Sequence, residues 1–462
     1  MILKQYYLGC LAHASYLIAD EASGRAVVVD PQRDVDQYLQ DAAVAHLTVE
    51  GIFLTHFHAD FVAGHLELRQ RTGATIYLGE TAQAEYPFTP LADRQCLDIG
   101  AVRLQVLATP GHTPEGISIV VYDQAVAPDK PHAVLTGDTL FIGDVGRPDL
   151  MASVGVTADA LAGLLYESLR TQLMTLPDET LVYPAHGAGS SCGKNLSKDT
   201  VSTIGAQKQL NYALQPMSKA AFIEAVTANQ SEAPAYFAHD AVMNRKERPT
   251  LDESLAKGLR PLRLEDVLRL QNAGAQVVDV RESDDYALGH LADSLNLGLA
   301  GKFASWAGNV LDKERAIVLI ADPEAEREAA LRLGRIGYDS VAGYLDGGMA
   351  AVTERPDLVR VTSRISQADL VRALDLATPP VVLDVRGEGE WREAHIPGSR
   401  NIPLPKLEAQ LASLPRDGQL IVHCASGYRS SAAGSILARA GFTNVSEFPG
   451  GFDAWQEALA ES

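Results

Sequence analysis

The stretch that decides the fold of the first half of the chain is I-F-L-T-H-F-H-A-D-F-V-A-G-H, residues 52–65. Its first four residues, Ile52 to Thr55, form a short apolar run that predicts a buried β-strand. The run ends in three potential metal ligands within five positions, His56, His58 and Asp60. Ligands at the exit of a strand lie at the rim of a sheet, so the stretch predicts a metal site on a β-rich domain.

Three further potential ligands occur in similar settings along the chain. They are His112 in T-P-G-H-T, Asp138 in T-G-D-T and His186 in P-A-H-G, and each follows a β-like run. A single loop histidine is usually solvated or hydrogen-bonded to its neighbours. Taken together, the groups point from strand ends towards one rim. The β-rich runs between residues 1 and 228 predict two packed sheets.

Two other residues near this site have open roles. Arg147, in G-D-V-G-R-P-D, either binds an anionic substrate or product or forms a loop salt bridge to Asp144 or Asp149. Cys192, in G-S-S-C-G-K, either accepts and relays sulfur near the rim or is a buried structural thiol.

The C-terminal half contains an internal repeat. V-V-D-V-R at residues 277–281 recurs as V-L-D-V-R at 382–386, and Gly289-His290-Leu291 recurs as Ala394-His395-Ile396 at the same offset. The repeat predicts two tandem α/β units of about 100 residues. Alternating short strands and amphipathic helices predict a parallel sheet with helices on both faces in each unit.

The second repeat carries a cysteine in a loop suited to sulfur chemistry. A predicted buried strand, residues 420–423, leads into C-A-S-G-Y-R and then a predicted helix over 430–440. Backbone N–H groups of the loop and the helix start favour a thiolate at Cys424. Gly427 permits the tight turn, Ser426 and Gly427 are expected to contact substrate, and Arg429 adds positive charge suited to thiosulfate or sulfite. We therefore predict Cys424 and Arg429 as catalytic residues.

The first repeat lacks this cysteine. Asp322 stands where Cys424 stands, in an acidic loop that contains proline. Such a loop is unsuited to a persulfide anion, so the first repeat is expected to be inactive.

The composition limits the classes of binding partner that we expect. The 462 residues carry a net charge of −20, which disfavours nucleic acid and an anionic membrane surface. No apolar run approaches a membrane span, and the four cysteines form no disulfide framework, so we expect a cytoplasmic protein. The expected domains are residues 1–240, a linker at 241–261, and the two repeats at 262–355 and 362–460.

The H-x-H-x-D string with the G-H-T, T-G-D-T and P-A-H-G loops resembles the metallo-β-lactamase superfamily over roughly residues 1 to 230. In the dinuclear hydrolases of that family the string ends in histidine, whereas Phe61 stands here and cannot ligate. His56, His112 and Asp138 remain, a two-histidine, one-carboxylate set that suits Fe(II). The same set is known in the family's persulfide dioxygenases. The resemblance thus implies one Fe(II) per chain and no nucleotide or flavin, with His58, Asp60 and His186 as further ligands or as residues hydrogen-bonded to ligands.

Residues 362–460 resemble rhodanese through the D-V-R strand, the A-H-I-P-G-S-R-N-I-P stretch, the Cys424 loop and the G-G-F-x-A-W ending. The expected fold is therefore multidomain, α+β and α/β: a metallo-β-lactamase αββα sandwich plus two rhodanese-like doubly wound α/β domains. The whole resembles persulfide dioxygenase and sulfurtransferase fusions. This implies oxidation of a low-molecular-weight persulfide by O₂ to sulfite and thiol, sulfur transfer through Cys424 giving thiosulfate, and a role in sulfide detoxification.

Two other functions remain open at this point. One is a glyoxalase II-like thioester hydrolase, against which Phe61 argues, and the other is a non-catalytic carrier of sulfane sulfur. The thiol half of the substrate, the direction of sulfur transfer and the oligomeric state, a homo-oligomer included, are also open.

Overall fold

The computed structural model describes residues 1–150, 155–230 and 232–461. The chain divides into two compact units, Met1–Leu251 with Gly334–Gly337, and Asp252–Leu333 with Tyr338–Ser462. Nowhere in the described part of the chain is a helix both long and apolar enough to cross a membrane.

The first unit contains two six-stranded sheets, ordered β1-β2-β3-β4-β5-β6 and β12-β11-β10-β9-β8-β7. The first sheet consists of β1 (Ile2–Leu8), β2 (His13–Asp20), β3 (Arg25–Val29), β4 (Thr48–Phe53), β5 (Thr75–Gly79) and β6 (Thr89–Leu91). The second consists of β7 (Cys96–Ile99), β8 (Val102–Ala108), β9 (Ile117–Asp123), β10 (Ala133–Gly137), β11 (Leu181–Pro184) and β12 (Ser202–Thr203).

The helices of the first unit are α1 (Asp36–Val44), α2 (His65–Thr72), α3 (Ala158–Thr171), α4 (Ile204–Leu210), α5 (Lys219–Thr227) and α6 (Phe237–Met243). One core cluster joins the inner faces of both sheets, for example Ile18 with Ile119. A second joins the outer face of the second sheet to α3 and α5, as Val182 with Leu165 and Phe222. The predicted αββα sandwich is therefore confirmed.

The segment 241–261, expected to be a linker, is partly built into the first unit. The Asn244 side chain is fully buried, donates hydrogen bonds to the carbonyls of His58 and Phe61, and accepts one from the Ala63 N–H. These bonds hold the loop that carries the predicted ligands. The sequence shows no apolar periodicity here because polar side chains make the buried contacts. A helix, α7 (Leu251–Gly258), follows.

The second unit contains two five-stranded sheets in which every pairing is parallel, ordered β13-β18-β17-β14-β16 and β20-β24-β23-β21-β22, and a small pair β15-β19. The strands are β13 (Pro261–Leu262), β14 (Gln276–Asp279), β15 (His290–Leu291), β16 (Leu295–Asn296), β17 (Ile317–Ile320), β18 (Val341–Leu345), β19 (Val359–Arg360), β20 (Ser363–Arg364), β21 (Val381–Asp384), β22 (Arg400–Asn401), β23 (Leu420–His423) and β24 (Val445–Glu447). The helices are α8 (Leu264–Asn272), α9 (Ser283–Leu288), α10 (Phe303–Val310), α11 (Ala325–Gly334), α12 (Gln367–Leu374), α13 (Glu388–Glu393), α14 (Leu407–Gln410), α15 (Tyr428–Arg439) and α16 (Gly451–Glu461).

The internal repeat is visible in the hydrogen bonds. Arg281 binds the Asp279 carboxylate with two guanidinium nitrogens and also donates to the carbonyl of Gly289. At an offset of 105, Arg386 binds Asp384 and the Ala394 carbonyl in the same way. Both repeats thus keep the same Asp–Arg pair at the end of their second strand, as the sequence repeat predicts. We call this pair the Asp–Arg clamp.

Candidate metal centre and cysteine loop

Three predicted ligands converge at the rim between the two sheets of the first unit. His56 follows β4, His112 follows β8, and Asp138 directly follows β10. The Asp138 Oδ2 atom lies 3.8 Å from His56 Nε2 and 3.5 Å from His112 Nε2. All three side chains are buried, and their nearest ligand atoms lie within 4.8 Å of one another. One cation placed among these atoms would be within coordination distance of each after small shifts.

The ring orientation of His56 is fixed by a chain of hydrogen bonds. Thr55 Oγ1 donates to Asp30 Oδ2 at 2.8 Å, so it accepts from His56 Nδ1 at 3.0 Å. His112 Nδ1 lies 2.8 Å from the Arg147 carbonyl oxygen, which can only accept. Both rings therefore carry their proton on Nδ1 and present the Nε2 lone pair to the cluster.

The donor set fits a metal ion. Among the described residues, no hydrogen-bond partner meets the buried atoms His56 Nε2, Asp138 Oδ1 and Asp138 Oδ2. Buried polar atoms without partners are costly unless something binds them. Burial, reinforced by the neighbouring His58 and His112, holds the pKa of His56 well below its usual value, so the ring is neutral and able to ligate.

A second group lies beside the first and consists of His58, Asp60 and His186. His186 Nε2 lies 3.5 Å from both Asp60 Oδ2 and Asp138 Oδ1. His58 Nε2 lies 3.0 Å from Asp30 Oδ1, an ion-pair distance when the ring is protonated. Burial opposes protonation of His58, but Asp30 outweighs it and raises the pKa of the ring.

Phe61 occupies the position next to this second group. Its ring centroid lies 4.4 Å from that of His58 and 3.9 Å from that of His13, and the side chain is almost fully buried. A phenyl ring supplies no lone pair, so this position contributes packing and no ligand atom.

Cys192 lies against both groups. Its Sγ atom is within 4.8 Å of ligand atoms of Asp138 and His186, and the residue is 1% exposed. Burial, together with the carboxylates of Asp60 and Asp138, raises the pKa of the thiol well above its usual value. Cys192 is therefore a buried thiol beside the candidate metal centre, and its role in accepting or relaying sulfur stays a prediction.

Arg147 connects the loops around the centre. Its guanidinium is buried, binds the Asp149 carboxylate at 2.7 and 2.8 Å, and donates to the Ser191 carbonyl. Its backbone N–H donates to the carbonyl of Cys192, and its carbonyl accepts from His112. The loop ion pair anticipated as one alternative is thus present, and binding of an anion by Arg147 stays a prediction.

A cavity of about 350 Å³ opens beside His112. Its walls are mostly apolar and include Phe57, Ala59 and Val242. The Arg245 guanidinium lies over the Phe57 ring, 5.0 Å from its centroid. A cavity of this size accommodates a small organic molecule next to the metal cluster.

The Cys424 loop of the second unit turns sharply between β23 and α15. The Gly427 N–H donates to Cys424 Sγ at 3.2 Å, and Gly427 has φ of +107°. A Cβ atom at this position would lie 2.9 Å from the Pro449 carbonyl oxygen, so glycine is required. The helix begins at Tyr428, two residues earlier than expected, which brings its N-terminal N–H groups closer to the sulfur. Ser426 is exposed at the tip.

Arg429 is not a free cation. Its guanidinium forms two hydrogen bonds with the Glu390 carboxylate, at 2.7 and 2.9 Å, and lies 5.7 Å from the centroid of the Trp306 ring in the first repeat. Sequence motifs reveal neither neighbour, because both come from distant parts of the chain. An anionic substrate at this loop would compete with Glu390 for Arg429.

The corresponding loop of the first repeat has a different form. The strand registers pair Ile320 with Asp279 and His423 with Asp384, so Ala321, and not Asp322 as expected, occupies the position of Cys424. Asp322 is the next residue and is exposed, and Glu324 has φ of +75° before α11 begins. The loop that would cradle sulfur is therefore replaced by an exposed acidic turn, in agreement with the expected loss of activity in residues 262–355.

Comparisons with known proteins agree with this architecture. The family model described as metallo-beta-lactamase superfamily matches residues 8–186, and the rhodanese-like domain matches residues 264–355 and 366–458. A solved structure of a metallo-beta-lactamase from Staphylococcus aureus subsp. aureus COL is 31% identical, with a TM-score of 0.66, and the match covers 74% of this chain and 98% of that one.

Two curated relatives match the first unit. The mitochondrial persulfide dioxygenase ETHE1 of Homo sapiens is 29% identical over 217 residues, 46% of this chain and 75% of its own length. A probable hydroxyacylglutathione hydrolase of Schizosaccharomyces pombe is 29% identical over 197 residues, 42% of this chain and 70% of its own. With the site geometry and the staphylococcal match, these results show that the chain belongs to the metallo-β-lactamase superfamily and carries two rhodanese-like domains after its metallo-β-lactamase domain.

Proposed function

We propose that the protein is an Fe(II) persulfide dioxygenase coupled to a sulfurtransferase. The observation that carries the proposal is the cluster of His56, His112 and Asp138, whose ligand atoms converge beside the apolar cavity. Two histidines and one carboxylate leave coordination positions open, which suits non-heme Fe(II). The similarity to a persulfide dioxygenase supports the choice of substrate class.

Iron held by these three residues would supply the activation of O₂ and the binding of the persulfide sulfur. The protein's own contribution is orientation of the metal-binding rings and of the substrate. Thr55 and the Arg147 carbonyl hold the two histidine rings, and the apolar walls around Phe57 and Val242 receive the organic part of the substrate. The products of this first step are sulfite and the free thiol, with two oxygens of sulfite from O₂ and the third from one water molecule, which also releases its protons.

Cys424 would carry out the second step. Its thiolate attacks the outer sulfur of a second persulfide, the S–S bond breaks, and the thiol leaves with the proton. The resulting persulfide on Cys424 then gives its outer sulfur to sulfite, which yields thiosulfate and restores the thiolate. The Gly427 N–H, 3.2 Å from Sγ, favours the thiolate that begins and ends this step. The use of Arg429 depends on displacement of Glu390. The biological role of the two steps together would be sulfide detoxification.

A thioester hydrolase is the second candidate, because His58, Asp60 and His186 form a second group of potential ligands and a hydroxyacylglutathione hydrolase is among the relatives. Phe61 weighs against it, since the phenyl ring removes one ligand position from that group.

The test measures oxygen uptake by the full chain, loaded anaerobically with Fe(II), after addition of glutathione persulfide or coenzyme A persulfide. Sulfite and thiosulfate are quantified in the same sample. The proposal expects uptake in the wild type, none in Asp138→Asn, and normal uptake in the exposed control Asp129→Asn. It also expects the product to change from thiosulfate to sulfite in Cys424→Ser. Absence of uptake with iron bound, together with hydrolysis of a glutathione thioester, would replace the dioxygenase by the hydrolase.

A further inference from the structure

Three buried side chains lie in a row behind the cysteine loop. Cys424 Sγ lies 3.7 Å from Ser430 Oγ, and Ser430 Oγ lies 2.8 Å from Glu447 Oε1. Ser430 is in the first turn of α15, and Glu447 ends β24. None of the three is more than 1% exposed. A carboxyl group in full burial, linked through one hydroxyl to a reactive sulfur, calls for a chemical explanation.

The Ser430 hydroxyl has two acceptors for its single proton, Glu447 Oε1 and the Gly427 carbonyl oxygen, both at 2.8 Å. With an ionised Glu447, the hydroxyl donates to the carboxylate and accepts from the Cys424 thiol. With a protonated Glu447, the acid donates to Ser430, the hydroxyl donates to the Gly427 carbonyl, and the thiolate keeps the Gly427 N–H. Both arrangements satisfy the hydrogen-bonding groups of the row, so a proton on either end is accommodated without movement of the backbone.

Glu447 shares one guanidinium group with a second carboxylate. Arg364 Nε lies 3.2 Å from Glu447 Oε2, while Arg364 Nη1 binds the Asp284 carboxylate of the first repeat at 2.6 Å. Burial raises the pKa of Glu447 above its usual value, although Ser430 and Arg364 oppose the shift. The carboxylate is therefore a better proton acceptor than one in water.

The charged and titratable groups near Cys424 are also paired. Arg429 is held by Glu390, and His423 Nε2 lies 3.7 Å from the Asp384 carboxylate, which Arg386 binds. Burial lowers the pKa of His423, so this ring is neutral. The groups that face the row are Arg364 on β20, Asp284 on α9, His423 on β23, Asp384 on β21, Arg386 after it, Glu390 on α13 and Arg429 on α15.

We propose that Ser430 and Glu447 receive the thiol proton of Cys424 inside the protein. The Sγ–H bond breaks, its proton passes to Ser430 Oγ, and the Ser430 hydroxyl proton passes to Glu447 Oε1. A thiolate and a carboxylic acid replace a thiol and a carboxylate, with no change in net charge and no other reactant. Ser430 touches the reacting sulfur, whereas Glu447 acts through Ser430. The inference rests on the proposed role of Cys424 as the sulfur acceptor.

A shared proton has a distinctive consequence for pH dependence. While the pair holds one proton, the fraction of thiolate is set by the internal equilibrium and not by the pH of the solvent. The rate of alkylation of Cys424 by iodoacetamide should therefore change little with pH. A thiol that titrates with the solvent behaves differently: at pH values below its titration range, its rate rises about tenfold for each unit by which pH increases.

The experiment follows alkylation of the Cys424 peptide by mass spectrometry in the full chain, between about pH 5 and pH 8. We expect a flat profile in the wild type, in Ser430→Thr and in Glu393→Gln, an exposed acid on the same domain that serves as control. In Glu447→Gln and Ser430→Ala we expect a rise of about tenfold per pH unit, and the double variant should match the single ones.

A steep profile in the wild type, or a flat profile in Ser430→Ala, would overturn the proposal. Ser430→Ala leaves the Glu447–Arg364 pair intact, so it tests the row even where Glu447→Gln fails to fold. Alkylation requires no sulfur substrate. A flat profile without thiosulfate formation would therefore count against the proposed function, but it would still support proton transfer from Cys424 through Ser430 to Glu447.

Discussion

The ring of Phe61 packs 4.4 Å, centroid to centroid, from the ring of His58, at the edge of the second group of potential ligands. An imidazole in this place would bring a lone pair to the group that already contains Asp60 and His186. We therefore expect this aromatic side chain to limit the number of metal ions that the site binds.

We expect Phe61→His to raise the metal content from about one to about two ions per chain, because a further ligand completes the second group. Elemental analysis after reconstitution with Zn²⁺ measures this, with Phe61→Leu as the control of similar bulk and no lone pair. An unchanged metal content in Phe61→His would show that another feature blocks the second position.

Thr55→Val should lower metal affinity by about 10- to 100-fold, since the His56 ring loses the hydroxyl that orients it. Competition with a chelator provides the measurement. Thr72→Val is the matched control, because the Thr72 hydroxyl bonds locally at the end of α2, to the Leu68 carbonyl and the Ala74 N–H. Equal affinity in the two variants would contradict an orienting role for Thr55.

Glu67 predicts a pH dependence of stability in the first unit. The carboxylate is buried and bound by Arg33 and Arg248 at 3.0 and 2.7 Å. Burial acts to raise the pKa of Glu67, but the two guanidinium groups outweigh it and lower the pKa from 4.5 to about 2. A depressed pKa stabilises the folded state above pH 4.5, by about 3 kcal/mol, and this contribution is lost as pH falls from 4.5 towards 2.

Urea unfolding of the full chain checks this expectation. Glu67→Gln should lower the free energy of unfolding by about 3 kcal/mol at pH 7, with a smaller difference from the wild type at pH about 3. Glu179→Gln, in an exposed pair with Lys130, should leave the free energy of unfolding essentially unchanged. A pH-independent penalty in Glu67→Gln would rule out the linkage.

Gly427→Ala should abolish sulfur transfer. The alanine would need a positive φ, which costs about 1–2 kcal/mol, and its Cβ would collide with the Pro449 carbonyl. The rates of thiosulfate formation and of Cys424 alkylation measure this loss, while oxygen uptake by the first unit should continue. Gly418→Ala, where the nearest atom would be 3.8 Å away, should leave both activities unchanged.

Some features of the two sites can be predicted from the sequence, and others cannot. The predicted ligands His56, His112 and Asp138 follow short apolar runs, so strand exits could be recognised locally. Asp30 ends a run of the same kind and could have been noticed through that pattern. The Arg429–Glu390 pair spans 39 residues and lies within no motif. Asn244 was missed for a different reason, because a buried amide in a polar segment gives no periodic signal.

The Asp–Arg clamp shared by the two repeats sets the end of the strand without any atom from the loop above it. The loop that follows the neighbouring strand, β17 or β23, can therefore change while the clamp stays intact. This explains how one copy can lose its cysteine and keep its fold. It also identifies a grafting site: a chain whose 321–324 segment is exchanged for the six-residue loop of the other copy would display two nucleophilic sulfurs on one polypeptide.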